Sequence, residues 1–125
     1  MQQVLIDACG WVACIDAKLN IDQAMETLLV PCEWLLLPSV FDELNRLQED
    51  RGRAKPLLLN MLEAKSTRVE DESRSHTDDA LLSHAQEHGC AVLTVDTELK
   101  RRLYEANVQV IEVRQNNRLH LIVSL

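Results

Sequence analysis

Three short runs of unbroken apolar residues, Val4-Leu5-Ile6, Trp34-Leu35-Leu36-Leu37 and Ala91 to Val95, stand well apart along the chain with helix-patterned stretches between them. A strand without a polar face has to be covered on both sides, and the inner strands of a parallel sheet meet that condition. Gly10 to Lys18 carries Trp11, Val12 and Ile15 at helical spacing. Asp22 is placed to cap a helix running to Leu29, which Pro31 stops. Ser39 and Asp42 form a capping-box-like pair, so the spacing predicts a helix from Val40 towards Gln48. Glu49 to Lys55 reads as a charged loop around Gly52, and Pro56 suits the first turn of a helix containing Leu57, Leu58, Met61 and Leu62.

Downstream, Ser66 to Ser75 is polar, with Val69 marking a short strand. Thr77 reads as the N-cap of a helix over Asp78 to His88, with Gly89 just past its end. A helix over Asp96 to Ala106 and a strand over Val108 to Val113 follow the apolar run at Ala91. Asn116-Asn117 then reads as a turn before a last strand, Leu119 to Val123. The alternation predicts one α/β domain over residues 1–125, a three-layer α/β/α sandwich with a mostly parallel central sheet. The last two strands are expected to pair as an antiparallel hairpin at its edge.

Composition narrows the function classes. At 125 residues the chain has the length of one domain, and an apolar share of 46% rules out disorder. Lys and Arg number 13 against 20 Asp and Glu, a net charge of −7, which argues against coating nucleic acid through bulk charge while leaving room for a local basic patch. Aromatic residues, at 3%, are too few for a base-stacking platform. Cys9, Cys14, Cys32 and Cys90 form no C-x-x-C pair and read as small buried thiols of a reducing cytoplasm. The expected location is cytoplasmic, with neither a signal segment nor an apolar run of membrane-spanning length. Only three glycines are present and no glycine-rich phosphate loop.

The acids carry the chemical signal. In an open parallel sheet, ligands bind beyond the carboxyl ends of the strands. Asp7 directly follows the first apolar run and Asp96 the third, Glu43 lies early in the helix after Leu37, and Asp78 and Asp79 open another helix. The doubly wound topology expects all of them on one sheet edge. Converging carboxylates repel unless a cation neutralises them, and hard ions such as Mg²⁺ or Mn²⁺ take carboxylate and water oxygens. Paired with a phosphodiester, such an ion points to metal-assisted hydrolysis. Each acid alone also has a structural reading: Asp7 and Asp96 as N-caps, Asp78 and Asp79 as dipole partners of a helix start, Glu43 as a solvated residue.

These segments resemble the PIN-domain ribonucleases over nearly the whole chain. VLIDACGWV resembles the family's first strand and first catalytic Asp, and LLLPSVFDELNRL the segment carrying its Glu. HTDDALLSHAQEHGCAVLTVDTELKRRLYEANVQVI resembles its acid-opened helix, its T-x-D strand end and the helix that follows. The likeness is greatest to the subgroup with archaeal members, ribosomal-RNA-processing nucleases and toxin relatives. The resemblance implies a Mg²⁺- or Mn²⁺-dependent endoribonuclease with Asp7, Glu43, Asp79 and Asp96 as catalytic and metal-site acids, Asp78 and Glu98 as further metal-site candidates, and Thr94 as a supporting hydroxyl. It also implies an RNA substrate, a homodimer, and an antitoxin or ribonucleoprotein partner. One position departs from the pattern. The family usually places Thr or Ser after the first Asp, often followed by Asn, and here Ala8 and Cys9 stand there. That departure motivates a second reading, a PIN-fold scaffold that binds RNA or protein without cutting.

Lys100, Arg101 and Arg102 begin one turn beyond Asp96, Arg114 and Arg118 follow later, and these with Arg46 are candidates for holding RNA phosphates. The competing reading is a solvated helix face with a Glu98–Arg102 pair at i,i+4. His84 and His88 share a helix face but lack a third ligand for zinc. A phospho-acceptor receiver domain would need paired acids after the first strand and an acceptor after a middle one. Here Asp7 stands alone, and Leu37 leads into Pro38-Ser39.

Overall fold

A computed structural model describes residues 2–18, 20, 23–24, 32–70, 77–114 and 118–122. The expected helix over 22–29, apart from Gln23 and Ala24, and the turn at Asn116-Asn117 lie outside the described residues, as do the side chains of Arg114 and Arg118. In chain order the elements are β1 (Gln2–Ile6), α1 (Ala8–Asp16), β2 (Cys32–Leu36), α2 (Pro38–Arg51), α3 (Leu59–Lys65), β3 (Ser66–Arg68), α4 (Thr77–His88), β4 (Ala91–Leu93), α5 (Thr97–Glu105), β5 (Val110–Arg114) and β6 (Arg118–Ile122). The sheet order is β3-β2-β1-β4-β5-β6. The first five strands run parallel, and β6 pairs antiparallel to β5 with Val113 opposite Leu119, the expected edge hairpin.

The chain winds outward from β1 through β2 to β3, then crosses back and resumes at β4 on the other side of β1. Right-handed crossovers therefore put α1, α2 and α3 on one face and α4 and α5 on the other. The packing agrees, since α1 lies against α2 and α4 against α5. The direction of winding reverses between β1 and β4. A crevice opens at such a point beyond the strands' carboxyl ends, because neighbouring connections leave in opposite directions.

The apolar runs end up as expected. Val4, Leu5 and Ile6 of β1 and all of β4 are buried, with Leu35 and Leu36 beside them. Each helix adds a stripe: Val40 and Leu44 of α2, Leu81 and Ala85 of α4, and Leu99 and Leu103 of α5 each lie one turn apart and buried. No helix among the described residues is long and apolar enough to cross a membrane.

Several boundaries differ from the sequence expectations. Helix α2 starts at Pro38, with Leu37 as its N-cap and no side-chain capping bond, so Ser39 and Asp42 do not form a capping box. Pro38 at the first helical position has its φ already set and no N–H to satisfy, which makes the serine cap unnecessary. The helix also runs on to Arg51 before Gly52 breaks it at a φ of 75°. Pro56 and Leu57 lie outside α3, which follows Leu58 at a φ of 54°. Here side chains have captured the backbone: Trp11 Nε1 donates to the Leu57 carbonyl at 2.8 Å, and the Leu57 N–H donates to Gln48 Oε1 at 2.5 Å. With both peptide groups of Leu57 tied to other helices, no helical turn begins there. The short third strand is Ser66–Arg68, not centred on Val69, although the Val69 N–H extends the ladder to the Leu36 carbonyl at 3.1 Å. Thr77 is the first residue of α4 and not the residue before it. The strand at Ala91 ends at Leu93, two residues early.

Gly10 sets the distance between α1 and β4. A Cβ at this position would stand 2.5 Å from the Leu93 carbonyl oxygen, which is backbone and cannot swing aside. Replacing Gly10 with Ala is expected to destabilise the fold by about 1–3 kcal/mol through forced backbone shifts. Urea denaturation checks this as a fall in midpoint at constant slope.

Candidate active site

Asp7 is the first residue after β1 and the N-cap of α1. Its backbone N–H donates to the Leu93 carbonyl at 3.0 Å, which ties the carboxyl ends of β1 and β4 together. The side chain is 5% exposed. Its Oδ1 accepts from the Ala8 N–H at 2.9 Å, and its Oδ2 accepts from Thr94 Oγ1 at 2.8 Å and from the Cys9 thiol at 2.9 Å. Buried carboxylates are usually paired with a cation, yet no Lys or Arg among the described residues forms an ion pair with Asp7.

Thr94 links Asp7 to the next acid. It is fully buried just past β4. Its single hydroxyl proton goes to Asp7, and its oxygen accepts the Asp96 N–H at 3.1 Å. Asp96 caps α5, its Oδ1 accepting from the Leu99 N–H at 2.9 Å. Its Oδ2 takes no hydrogen bond from a described residue, and Asp96 as a whole is exposed. Asp7, Thr94 and Asp96 thus form one connected set across the reversal of winding.

Cys9 completes this set, a role with no sign in the sequence; of the four thiols expected to be buried, Cys14 and Cys90 are, whereas Cys9 and Cys32 are half-buried. Its Sγ lies 3.3 Å from Thr94 Oγ1 as well as against Asp7. Burial pushes its thiol from 9.0 up to about 11, and the adjacent Asp7 charge adds to the effect because a second anion there is disfavoured. The thiol therefore stays protonated near neutral pH and acts as a donor. A thiol donor two residues after the strand-end Asp has no spacing signature of its own; only the turn into α1 brings it onto Oδ2.

The other predicted acids sit on the same edge of the sheet by topology. Glu43 is half-buried in the second turn of α2, which follows β2. One turn earlier on the same face, Ser39 Oγ is buried with no hydrogen-bond partner among the described residues. Asp78 is half-buried in the first turn of α4, and Asp79 beside it is exposed and bonded to Arg102 of α5 at 2.6 Å. No group of three or more His, Cys, Asp or Glu side chains among the described residues is disposed to hold a metal ion. The acids share an edge, but they do not close on one point.

The basic run is partnered. The expected Glu98–Arg102 pair is not formed: Glu98 pairs instead with Arg101, which holds the Glu98 carboxyl below its usual range. Arg101 also reaches Glu105 at 2.8 Å, and Lys100 reaches Glu112 of β5 at 3.3 Å. Arg102 is drawn across to α4 because Asp79, at a helix start, lies within its reach. Arg46 is exposed on α2. His84 and His88 stack on α4 with ring centroids 4.3 Å apart.

In chemical type, though not gathered around one point, the donors at Asp7, Thr94 and Asp96 are those a hard divalent cation takes. They are carboxylate oxygens and hydroxyls, and the buried Asp7 charge has no cationic partner among the described residues. An open parallel sheet with aspartates at the ends of two adjacent central strands, a hydroxyl between them and further acids on the flanking helices is the PIN-type α/β architecture. A family model described as "PIN like domain" matches residues 4–116, and the chain belongs to that family. It is 31% identical over 121 residues to Ribonuclease VapC4 of Methanocaldococcus jannaschii, covering 92% of each chain. In shape it matches the PIN domain endonuclease Utp24 with a TM-score of 0.82, covering 98% of this chain and 94% of that one at 21% identity, a likeness of fold.

Two outcomes test this geometry. Thr94→Val keeps the shape but removes a buried donor and an acceptor, and is expected to lower stability by about 1–3 kcal/mol, read by urea denaturation, with Thr94→Ser close to wild type. Raising a thiol's pKa lowers its thiolate fraction, partly offset by a more nucleophilic thiolate, so Cys9 near pH 8 is expected to alkylate with iodoacetamide roughly tenfold more slowly than an unperturbed thiol. Site-resolved mass spectrometry measures that rate, and Asp7→Asn should accelerate it.

Proposed function

We propose that the chain is a ribonuclease, a single PIN-like domain over its whole length that hydrolyses RNA phosphodiester bonds with Mg²⁺ or Mn²⁺. Asp7, Glu43, Asp79 and Asp96 would hold the ion, with Asp78 and Glu98 at its margin. Bound among such acids, a divalent ion supplies Lewis acidity at a phosphoryl oxygen and makes its water a stronger nucleophile. The observation that carries the reading is the Asp7–Thr94–Asp96 connection at the reversal of winding. It is supported by family membership and by the 31% identity to a ribonuclease.

The chain's own residues have definite tasks in this reading. Thr94, Cys9 and the Ala8 N–H fix the Asp7 carboxylate, so that it is oriented before any ligand arrives. Asp96 keeps one oxygen for its helix and leaves the other without a hydrogen bond from a described residue. The parallel topology also points the N-termini of α1, α2, α4 and α5 to this edge. Their partial positive charge favours a phosphate there despite the net charge of −7. A second copy of the chain, and an antitoxin or ribonucleoprotein component, are the partners we assign on the family resemblance, with the cytoplasm as location.

Incubating the protein with single-stranded RNA and Mn²⁺ tests the reading. We expect cleavage that EDTA abolishes. Asp7→Asn and Asp96→Asn should each lower the rate by more than the roughly tenfold to hundredfold typical of changes one shell further out, with circular dichroism unchanged. Cleavage in EDTA, or full activity in both variants, refutes it. RNA binding with no cleavage under any metal would instead make the chain a binding scaffold.

A further inference from the structure

We propose that Arg68 is an RNA-binding residue. Its guanidinium, held on the face of Phe41, takes a backbone phosphate beside the Asp7–Asp96 site, so that the RNA strand crosses the carboxyl ends of the sheet from β4 towards β3. The inference rests on the ribonuclease reading and deepens it by giving the substrate a path over the site. The contact involves no metal ion.

Arg68 is the last residue of β3 and stands opposite Leu36 of β2. Leu35 of β2 pairs with Leu5 of β1, so one step on Arg68, Leu36 and Ile6 share a row, and Asp7 follows Ile6. Two strand spacings of about 4.8 Å put the backbone of Arg68 roughly 10 Å from that of Ile6, a span that one short stretch of RNA covers. β3 and β4 lie on opposite sides of β1, so Arg68 and Asp96 flank Asp7 from the two sides.

The side chain is exposed, and its Cζ lies 4.6 Å from the centroid of the Phe41 ring near the start of α2. Stacking of this kind orients the guanidinium plane and leaves its edge N–H groups, which match a phosphate, turned to other partners. Among the described residues the Arg68 side chain has no ion pair and no hydrogen bond.

The basic run on α5 is in the opposite state. Lys100 is held by Glu112, Arg101 by Glu98 and Glu105, and Arg102 by Asp79. A paired cation has to give up a carboxylate to take a phosphate, whereas Arg68 gives up only water. The neighbouring helix adds to its pull. α1 and α5 begin at Asp7 and Asp96, and α4 carries two aspartates in its first turn, but α2 has neither a capping side chain nor an acid in its first turn to offset its positive end.

The experiment uses the full chain and needs no cleavage. Binding of a fluorescent single-stranded RNA of about 12 nucleotides, enough to span several phosphates, is followed by anisotropy in EDTA across a salt series for wild type, Arg68→Gln, Arg68→Lys and Arg53→Gln. Thermal unfolding by circular dichroism accompanies each variant. Arg53→Gln removes the same charge from an exposed residue past the far end of α2, about 20 Å from the start of that helix. We expect Arg68→Gln to bind RNA about two- to fivefold more weakly, the range a solvated ion pair allows. Its salt slope should become shallower by about 0.7, the share of one phosphate on a single strand. Arg68→Lys, which keeps the charge but not the planar fork, should keep the wild-type slope, and Arg53→Gln should match wild type in both measurements. An Arg68→Gln variant that matches wild type in affinity and slope, or an Arg53→Gln variant that loses as much, overturns the proposal and leaves the ribonuclease reading standing. RNA binding that depends on Arg68, in a chain that cuts no RNA once Mn²⁺ is supplied, sustains the contact and overturns the ribonuclease reading. Wild type that binds no RNA overturns both.

Discussion

The site depends on a buried negative charge held by neutral donors. Asp7 sits where β1 ends, 5% exposed, with three hydrogen bonds and no ion pair among the described residues. A carboxylate in that position is costly unless its surroundings are arranged for it. Much of the nearby structure supplies that arrangement. The N-terminus of α1 provides a peptide N–H, β4 delivers Thr94, and Gly10 lets α1 approach Leu93 closely enough for Asp7 to reach across. The backbone bond from Asp7 to the Leu93 carbonyl then fixes the two central strands relative to each other. Shifting any of these contacts moves the charge.

Around this fixed centre the other charges are arranged differently. Asp79, Glu98 and Glu105 lie at the surface and are engaged by arginines of α5. Such solvated pairs are weak and exchangeable, whereas the bonds to Asp7 are shielded from water. The site thus combines one carboxylate set before any ligand binds with others whose partners can be replaced. Helix N-termini at the same edge follow from parallel strands that each lead into a helix, so the field that attracts an anion comes with the topology and needs no excess of basic residues.

Much of this architecture was legible in the sequence. The three unbroken apolar runs marked β1, β2 and β4, because only strands covered on both faces lack a polar side. The order of elements then implied strand ends on one edge, with Asp7 and Asp96 there. The expected edge hairpin also formed, since β5 and β6 are separated by too few residues for a crossover. What failed were local boundaries. The Ser39–Asp42 pair has the spacing of a capping box, but Pro38 starts the helix without one. Pro56 has the look of a helix start, but Trp11 and Gln48, distant in sequence, take both peptide groups of Leu57.

By itself the sequence determined the α/β class, the parallel core and which acids follow which strands, because those are set by apolar periodicity and by chain order. Only the tertiary structure decided that the Cys9 thiol and the Thr94 hydroxyl both donate to Asp7, that Asp79 is held by Arg102, and that Glu98 pairs with Arg101 and not with Arg102. The Cys9 contact depends on how the chain turns from β1 into α1. The Thr94 and Arg102 contacts join segments 87 and 23 residues apart, and such pairing is fixed by how elements pack, not by spacing along the chain.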